Sequence, residues 1–245
     1  MSHPLHHSIS SQQKWGGHVD DYLPIHDWFD GTRVYFRDMR HRSMRHHVEG
    51  FSWAEEVFGT HITNKDGQKV AVRDIGEQHC REDVAFVPTV KDWLNHMKFM
   101  HGLDMVGKGR LHISQSKDDV IEGNCQLSRK RWGGKDEDYS PIHHWFEETR
   151  DFYQDNRYRI LRHHAEGVYW AEQRFGIYFI NSEGRMVTVR AIGEQHVEET
   201  VGRIPTIREY LENMAIQDWM FNPGDGKFVL KEIREKKLDY VRVGE

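Results

Sequence analysis

Arg45-His46-His47-Val48-Glu49-Gly50 returns as Arg162-His163-His164-Ala165-Glu166-Gly167, so the histidine pairs stand 163 − 46 = 117 residues apart. The same offset, without a gap, carries Pro24-Ile25-His26 onto Pro141-Ile142-His143 and Ile75-Gly76-Glu77-Gln78-His79 onto Ile192-Gly193-Glu194-Gln195-His196. A chain of 245 residues holds one large domain or two small ones. The repeat decides for two, residues 1–117 and residues 118–245, the second with a C-terminal tail. The expected fold class is α+β and mainly helical. Each repeat is a small helical bundle with one β-hairpin, and the two pack on each other as a pseudo-twofold dimer.

Bulk composition narrows the function classes. Eight Trp, twelve Phe and nine Tyr supply enough aromatic surface for a core in each half. Net charge is −5, the sequence pI is near 6.4 and mean hydropathy is −0.80, which argues against coating nucleic acid through bulk positive charge. No apolar run approaches membrane-spanning length, and Met1-Ser2-His3-Pro4 opens without a basic, then apolar, leader; a cytoplasmic protein is expected. The two cysteines, Cys80 and Cys125, fall at non-equivalent places in the repeat, so neither a disulfide framework nor a cysteine-rich zinc module follows. Eighteen histidines are the unusual feature.

Taken in order, His6 to Trp15 reads as a short polar helix stopped by Gly16-Gly17. Pro24 and Pro141 suit a first helical turn, which places His26 and His143 near a helix start. The proline-free stretch from Val34 to Phe58 reads as one central helix. At 100° per residue it puts His47 on an inner face with Phe36, Gly50, Phe51 and Ala54, and His46 on a rim with Arg42, Glu49 and Trp53. Asn64-Lys65-Asp66-Gly67 and Asn181-Ser182-Glu183-Gly184 lie between alternating apolar residues and signal hairpins. A helix then carries His79, with Glu82 one turn on, and Pro88-Thr89 and Pro205-Thr206 open a last helix. Gly107-Lys108-Gly109 and Gly224-Asp225-Gly226 read as turns entering strands. The charged segment from Lys231 fits either an amphipathic helix or an edge strand.

Comparing the copies filters the candidates. Between Trp15 and Leu94, four of seven histidines are retained, inside unbroken motifs; His18, His41 and His61 are replaced by Lys135, Tyr158 and Tyr178. Imidazoles and carboxylates from separate elements are normal ligands for Zn, Mn or Fe. The expected metal ligands are His26, His47, His79 and Glu82, with His143, His164, His196 and Glu199 in the second copy. Glu77 and Glu49, with Glu194 and Glu166, are the candidate general bases. His46/Glu49 and His79/Glu82 resemble, in reversed order, the Glu-x-x-His pairs of di-iron bundles. The recurring arginines Arg42, Arg45, Arg73, Arg159, Arg162 and Arg190 suit an anionic small molecule. Together these point to a metal-dependent hydrolase of a phosphorylated or nucleotide-like small molecule. The alternative is a non-enzymatic binding module, for a nucleotide or a host protein, in which the histidines form a hydrogen-bonded structural network.

At Tyr22-Leu23-Pro24-Ile25-His26-x-Trp28-Phe29, Arg45-His46-His47-x-Glu49-Gly50 and Ile75-Gly76-Glu77-Gln78-His79, the chain resembles a family of short, histidine-rich bacterial and phage proteins defined as a domain of unknown function. The family typically carries one copy, so the resemblance implies a tandem fusion and lends no activity. A leading His6-His7 goes with it, which the second copy replaces by Gly123-Asn124.

Overall fold

The computed structural model describes residues 3–97, 116–153 and 155–221. The turns expected at Gly107–Gly109 and Gly224–Gly226, and the segment from Lys231, lie outside the described residues. The chain divides into two compact units, Met1–His96 with Ala215–Glu245, and Met97–Met214. The division therefore departs from the expected one in two respects: the first unit breaks after His96 rather than at residue 117, and the stretch after Met214 goes with the first unit. Within that unit the Trp219 ring lies 4.6 Å from that of Trp93 and 5.4 Å from that of Phe86, and Arg42 Nη1 donates to the Met220 carbonyl. Each unit is mainly helical with one small antiparallel hairpin.

In the first unit α1 is Pro4–Trp15, α2 Val19–Asp30, α3 Val48–Phe58, β1 His61–Thr63, β2 Lys69–Ala71, α4 Val72–Val84 and α5 Val90–Leu94. In the second, α6 is Lys117–Trp132, α7 Asp136–Glu148, α8 Ala165–Phe175, β3 Tyr178–Ile180, β4 Met186–Thr188, α9 Val189–Val201 and α10 Ile207–Leu211. The core of the first unit gathers Tyr22, Ile25, Phe29, Phe51, Ala54 and Ile75; Tyr139, Ile142, Phe146, Val168, Ala171 and Ile192 repeat it. The hairpins stand where the Asn-x-x-Gly signal places them, with Ile62 opposite Val70 and Phe179 opposite Val187. Asn64 Nδ2 donates to the Trp15 carbonyl and to Tyr22 Oη, tying the first hairpin to α1 and α2.

Two helix starts differ from expectation. Helix α2 begins at Val19, where His18 and Asp21 form a reciprocal cap, so Pro24 lies inside the helix and His26 in its second half. The single central helix from Val34 to Phe58 is absent. Gly31–Val34 and Met39–Met44 are 3-10 turns, and α3 starts only at Val48. The break has a local cause. Asp38 accepts the Arg40 N–H and starts the second turn, then His47 takes an extended backbone (φ −159°, ψ 165°) and its ring accepts the Gly50 N–H, as Asn or Asp does at a helix N-cap. Gly50 belongs to this reversal rather than to close helix packing, because a Cβ there would run into the Arg45 carbonyl. His164 and Gly167 repeat the arrangement against Arg162.

Candidate metal centre

Helical spacing brings the polar groups of the first unit together in pairs four residues apart. His7 and Ser11 face inward from α1, His26 and Asp30 from α2, and His79 and Asp83 from α4. The turn before α3 adds Arg42 and His46, its backbone fixed by the Trp93 indole N–H on the His46 carbonyl (2.9 Å). His7, His26, His46 and His79 are fully buried, Asp83 is 1% exposed, and the Asp30 side chain 11%. The Nε2 atoms of His79 and His46 meet at 2.9 Å. Asp83 Oδ2 lies 3.1 Å from His46 Nε2 and 3.4 Å from His79 Nε2, and Asp30 Oδ1 lies 3.5 and 3.8 Å from the same atoms.

Hydrogen-bond bookkeeping assigns the protons. Gln78 Nε2 donates to Glu82 Oε1 and the His7 carbonyl, neither of which can donate back, so Gln78 presents Oε1 to Ser11. The Ser11 hydroxyl donates to that oxygen (3.0 Å) and therefore accepts from His26 Nε2 (2.8 Å). Burial, then the field of His79, depresses His26 to about 2, so it is neutral with its lone pair on Nδ1. That lone pair accepts from His79 Nδ1–H at 3.0 Å. Burial likewise lowers His79, to about 4. Its Nε2 is thus an unprotonated lone pair aimed at His46 Nε2 and two carboxylates. Asp30 and Asp83 are ionised: burial opposes their charge, but His46, His79, His7 and Arg42 together hold both far below the usual carboxylate range. A lone pair facing carboxylate oxygens is repulsive unless a proton, such as His46 Nε2–H donated at 2.9 Å, or a metal cation stands between them.

The spacings suit such a cation. A metal–ligand bond of about 2.1 Å gives ligand-to-ligand edges of about 3.4 Å in a tetrahedron and about 3.0 Å in an octahedron. Ligand atoms of His7, Asp30, His79 and Asp83 all lie within 4.8 Å of one another, as do those of Glu147, His163 and His196. His7 is better placed outside the ligand set than in it. Its Nδ1 lies 2.6 Å from Glu82 Oε2 and its Nε2 3.5 Å from Asp83 Oδ1, so it backs the carboxylates.

The second unit rebuilds the relay. Gln195 Nε2 donates to the Asn124 carbonyl, Ser128 donates to Gln195 Oε1 (3.2 Å) and accepts from His143 Nε2 (3.0 Å), and His143 Nδ1 meets His196 Nδ1 at 3.1 Å. Burial keeps His143 neutral, so its Nδ1 accepts from His196 Nδ1–H and turns His196 Nε2 the other way. It lies 3.2 Å from Glu147 Oε1 and 3.3 Å from His163 Nε2, and His163 Nε2 lies 3.0 Å from Glu147 Oε1. Tyr158 Oη donates to Glu147 Oε2 at 3.2 Å.

Several expected site residues stand elsewhere. His79 and His196 are central, but His26 and His143 orient them from behind. His47 and His164 are buried helix caps, each with Nδ1 on a glycine N–H at 2.9 Å and its ring edge-on to Trp53 or Trp170; the first histidine of each pair, not the second, joins the cluster. Glu82 binds His7, Ser10 and Gln78 one layer out, and Glu199 is half-buried on α9. Glu49 and Glu166 accept the N–H groups of Val90 and Ile207 at the starts of α5 and α10, Glu77 pairs with Arg81 on the surface, and Glu194 sits half-buried on α9; none joins the cluster. Arg42 holds Asp83 (2.7 Å). Arg45 and Arg162 stack on Trp28 and Trp145 and donate to their carbonyls. Arg73 and Arg190 pair with Glu55 and Glu172. Arg159 is buried in the turn before α8. Arg42, Arg45, Arg73, Arg162 and Arg190 thus serve the fold rather than an open anion rim. Asp30, Asp83, Glu147, Ser11 and Ser128 are the central residues that His-x-x-Glu spacing overlooks; the signal was at i, i+4, in His26/Asp30, His143/Glu147 and His79/Asp83.

His7 yields a pH prediction. Burial opposes its charge, but the hydrogen bonds and fields of Asp83 and Glu82 outweigh that and raise it to about 9 from 6.5. A raised folded value stabilises fully below pH 6.5, and the stabilisation disappears as pH climbs through 9. In EDTA, urea denaturation of the first unit is expected to lose on the order of 3 kcal/mol over that window. His7→Asn, which copies Asn124, should flatten the profile; an unchanged slope in that variant would show that another group titrates.

A family model described as a domain of unknown function (DUF6915) matches residues 2–103 and again residues 122–220. No curated protein and no solved structure matches the chain.

Proposed function

We propose that this chain, which belongs to the DUF6915 family and carries its domain twice, is a divalent-metal-binding protein with one ion in each unit. His46, His79, Asp30 and Asp83 hold it in the first, and His163, His196 and Glu147 in the second. One observation carries the reading: a relay of hydrogen bonds turns Nε2 of His79, and of His196, toward ionised carboxylates. The nitrogen and oxygen donors suit Zn, Mn or Fe rather than a thiolate-seeking metal.

When bound, such a metal supplies Lewis acidity and an acidified water. Hydrolysis of a phosphorylated or nucleotide-like molecule would use both. It has less support than binding itself, because the glutamates and most of the arginines that would act as base and anion clamp are occupied elsewhere. The burial of the cluster, with only the Asp30 side chain reaching 11% exposure, favours a second reading, a binding module whose histidines are structural. Elemental analysis of protein purified without chelator separates the two. Two ions per chain are expected, and a metal held at 100 times its Kd adds about 2.7 kcal/mol of stability, which EDTA should remove. A metal-free protein indifferent to EDTA would leave only the structural network.

A further inference from the structure

We infer that the second unit keeps one position of its metal centre open for a small carboxylate anion, formate or acetate in size, received by Arg159. The inference rests on the metal reading above. The duplication supplies its internal reference, since the relay of Ser, His, His and Gln is common to both units while the carboxylates are not. In the first unit Asp83 is a bridge: Oδ1 takes Arg42 Nη2 at 2.7 Å and Oδ2 faces the ligand nitrogens of His46 and His79. At the equivalent place the second unit has Thr200, whose hydroxyl turns back to the His196 carbonyl at 2.7 Å and the Val197 carbonyl at 3.3 Å. It cannot bridge. His7, which backs Asp83, is replaced by Asn124.

The arginine has nonetheless been kept. Arg159 is 7% exposed and pairs with no carboxylate among the described residues; its Nε, like that of Arg42, has no hydrogen-bond partner, and its side-chain contact is with the Tyr158 hydroxyl. Glu147 does not serve it: Oε1 faces His163 and His196, and Oε2 accepts from Tyr158 with Arg150 at 3.8 Å. A guanidinium buried without a counterion is strongly disfavoured, and an anion from solution relieves it. Two histidines and one carboxylate are also a ligand set that characteristically leaves coordination positions open. The group missing relative to the first unit is one planar carboxylate, which matches formate or acetate and the forked donors of arginine better than a tetrahedral phosphate.

Cobalt(II) loading of the full chain provides the test, because its visible spectrum reports each ligand change. The expected result is two cobalt ions per chain, with acetate or formate producing a saturable change in part of the absorption and phosphate producing none. Thr200→Asp should abolish that response while keeping both ions. The first unit already accommodates aspartate at this place in the same fold. Arg159→Lys should weaken acetate binding by about tenfold or more, as loss of a forked charge-assisted contact implies. Two bound cobalt ions with no acetate response, a response unchanged in Thr200→Asp, or a response to phosphate alone would each overturn the carboxylate site. Absence of cobalt would bring down the metal reading first, and this inference with it.

Discussion

His46→Ala is expected to empty the metal position of the first unit, whereas His47→Ala leaves it filled. Adjacent in sequence, the two rings do unrelated work. His46 Nε2 stands 2.9 Å from His79 Nε2 and 3.1 Å from Asp83 Oδ2, so its loss removes a ligand. Affinity should fall by more than the roughly 10–100-fold that loss of an outer partner brings, and Ser11→Ala, which deletes the acceptor behind His26, should show that smaller effect. His47 Nδ1 accepts the Gly50 N–H at the start of α3. Its removal should lower stability by about 1 kcal/mol, the usual worth of an N-cap, with metal content unchanged. Elemental analysis and urea denaturation of both variants give the answer. A His47→Ala protein that loses its metal while His46→Ala keeps it would reverse the assignment. The pair His163 and His164 should behave alike in the second unit.

The repeat, the mainly helical class, the hairpins and the burial of histidines were legible because each rests on a local pattern: a constant offset, an apolar period, an Asn-x-x-Gly turn. The centre was only half legible. His79 and His196 stood out by sitting in a repeated motif, but the tandem histidines were assigned by treating Val34 to Phe58 as one helix. That hid the turn which swings His46 inward and leaves His47 as a cap. Apolar periodicity cannot show that break, because its cause is a histidine side chain mimicking Asn at an N-cap and a glycine pressed against a carbonyl. The carboxylates escaped for another reason. Asp30 becomes Glu147 and Asp83 becomes Thr200, so a filter for identical residues discards both, although the first substitution preserves the chemistry and the second changes it. The recurrence of Arg45, Arg73, Arg162 and Arg190 reflects shared contacts with tryptophan rings, carbonyls and glutamates rather than an open surface.

Asp83→Leu should be among the most damaging single substitutions in the first unit, even in EDTA, and its damage should be reversible by a second one. Among the described residues Asp83 is the only carboxylate paired with Arg42, whose guanidinium is 3% exposed and otherwise donates to the carbonyls of Asp83 and Met220. Breaking a buried ion pair on one side leaves the other charge uncompensated, at about 3–5 kcal/mol, whereas replacing both partners by apolar groups is often close to neutral. Asp83→Leu with Arg42→Met is therefore expected to recover most of the loss. The second unit supplies the converse. Arg159 already lacks a carboxylate partner among the described residues, so Arg159→Met, stripped of metal and dialysed into chelator-free and carboxylate-free buffer, should be neutral or stabilising. This comparison spans both units, so hydrogen exchange of the amides in α4 and α9, which reads each unit in the same molecule, is the suitable measurement. If Arg159→Met loosens α9 as much as Asp83→Leu loosens α4, Arg159 has a protein counterion and the asymmetry between the units disappears. If only α4 loosens, the two centres differ in kind: one neutralised entirely by the chain, the other completed from solution.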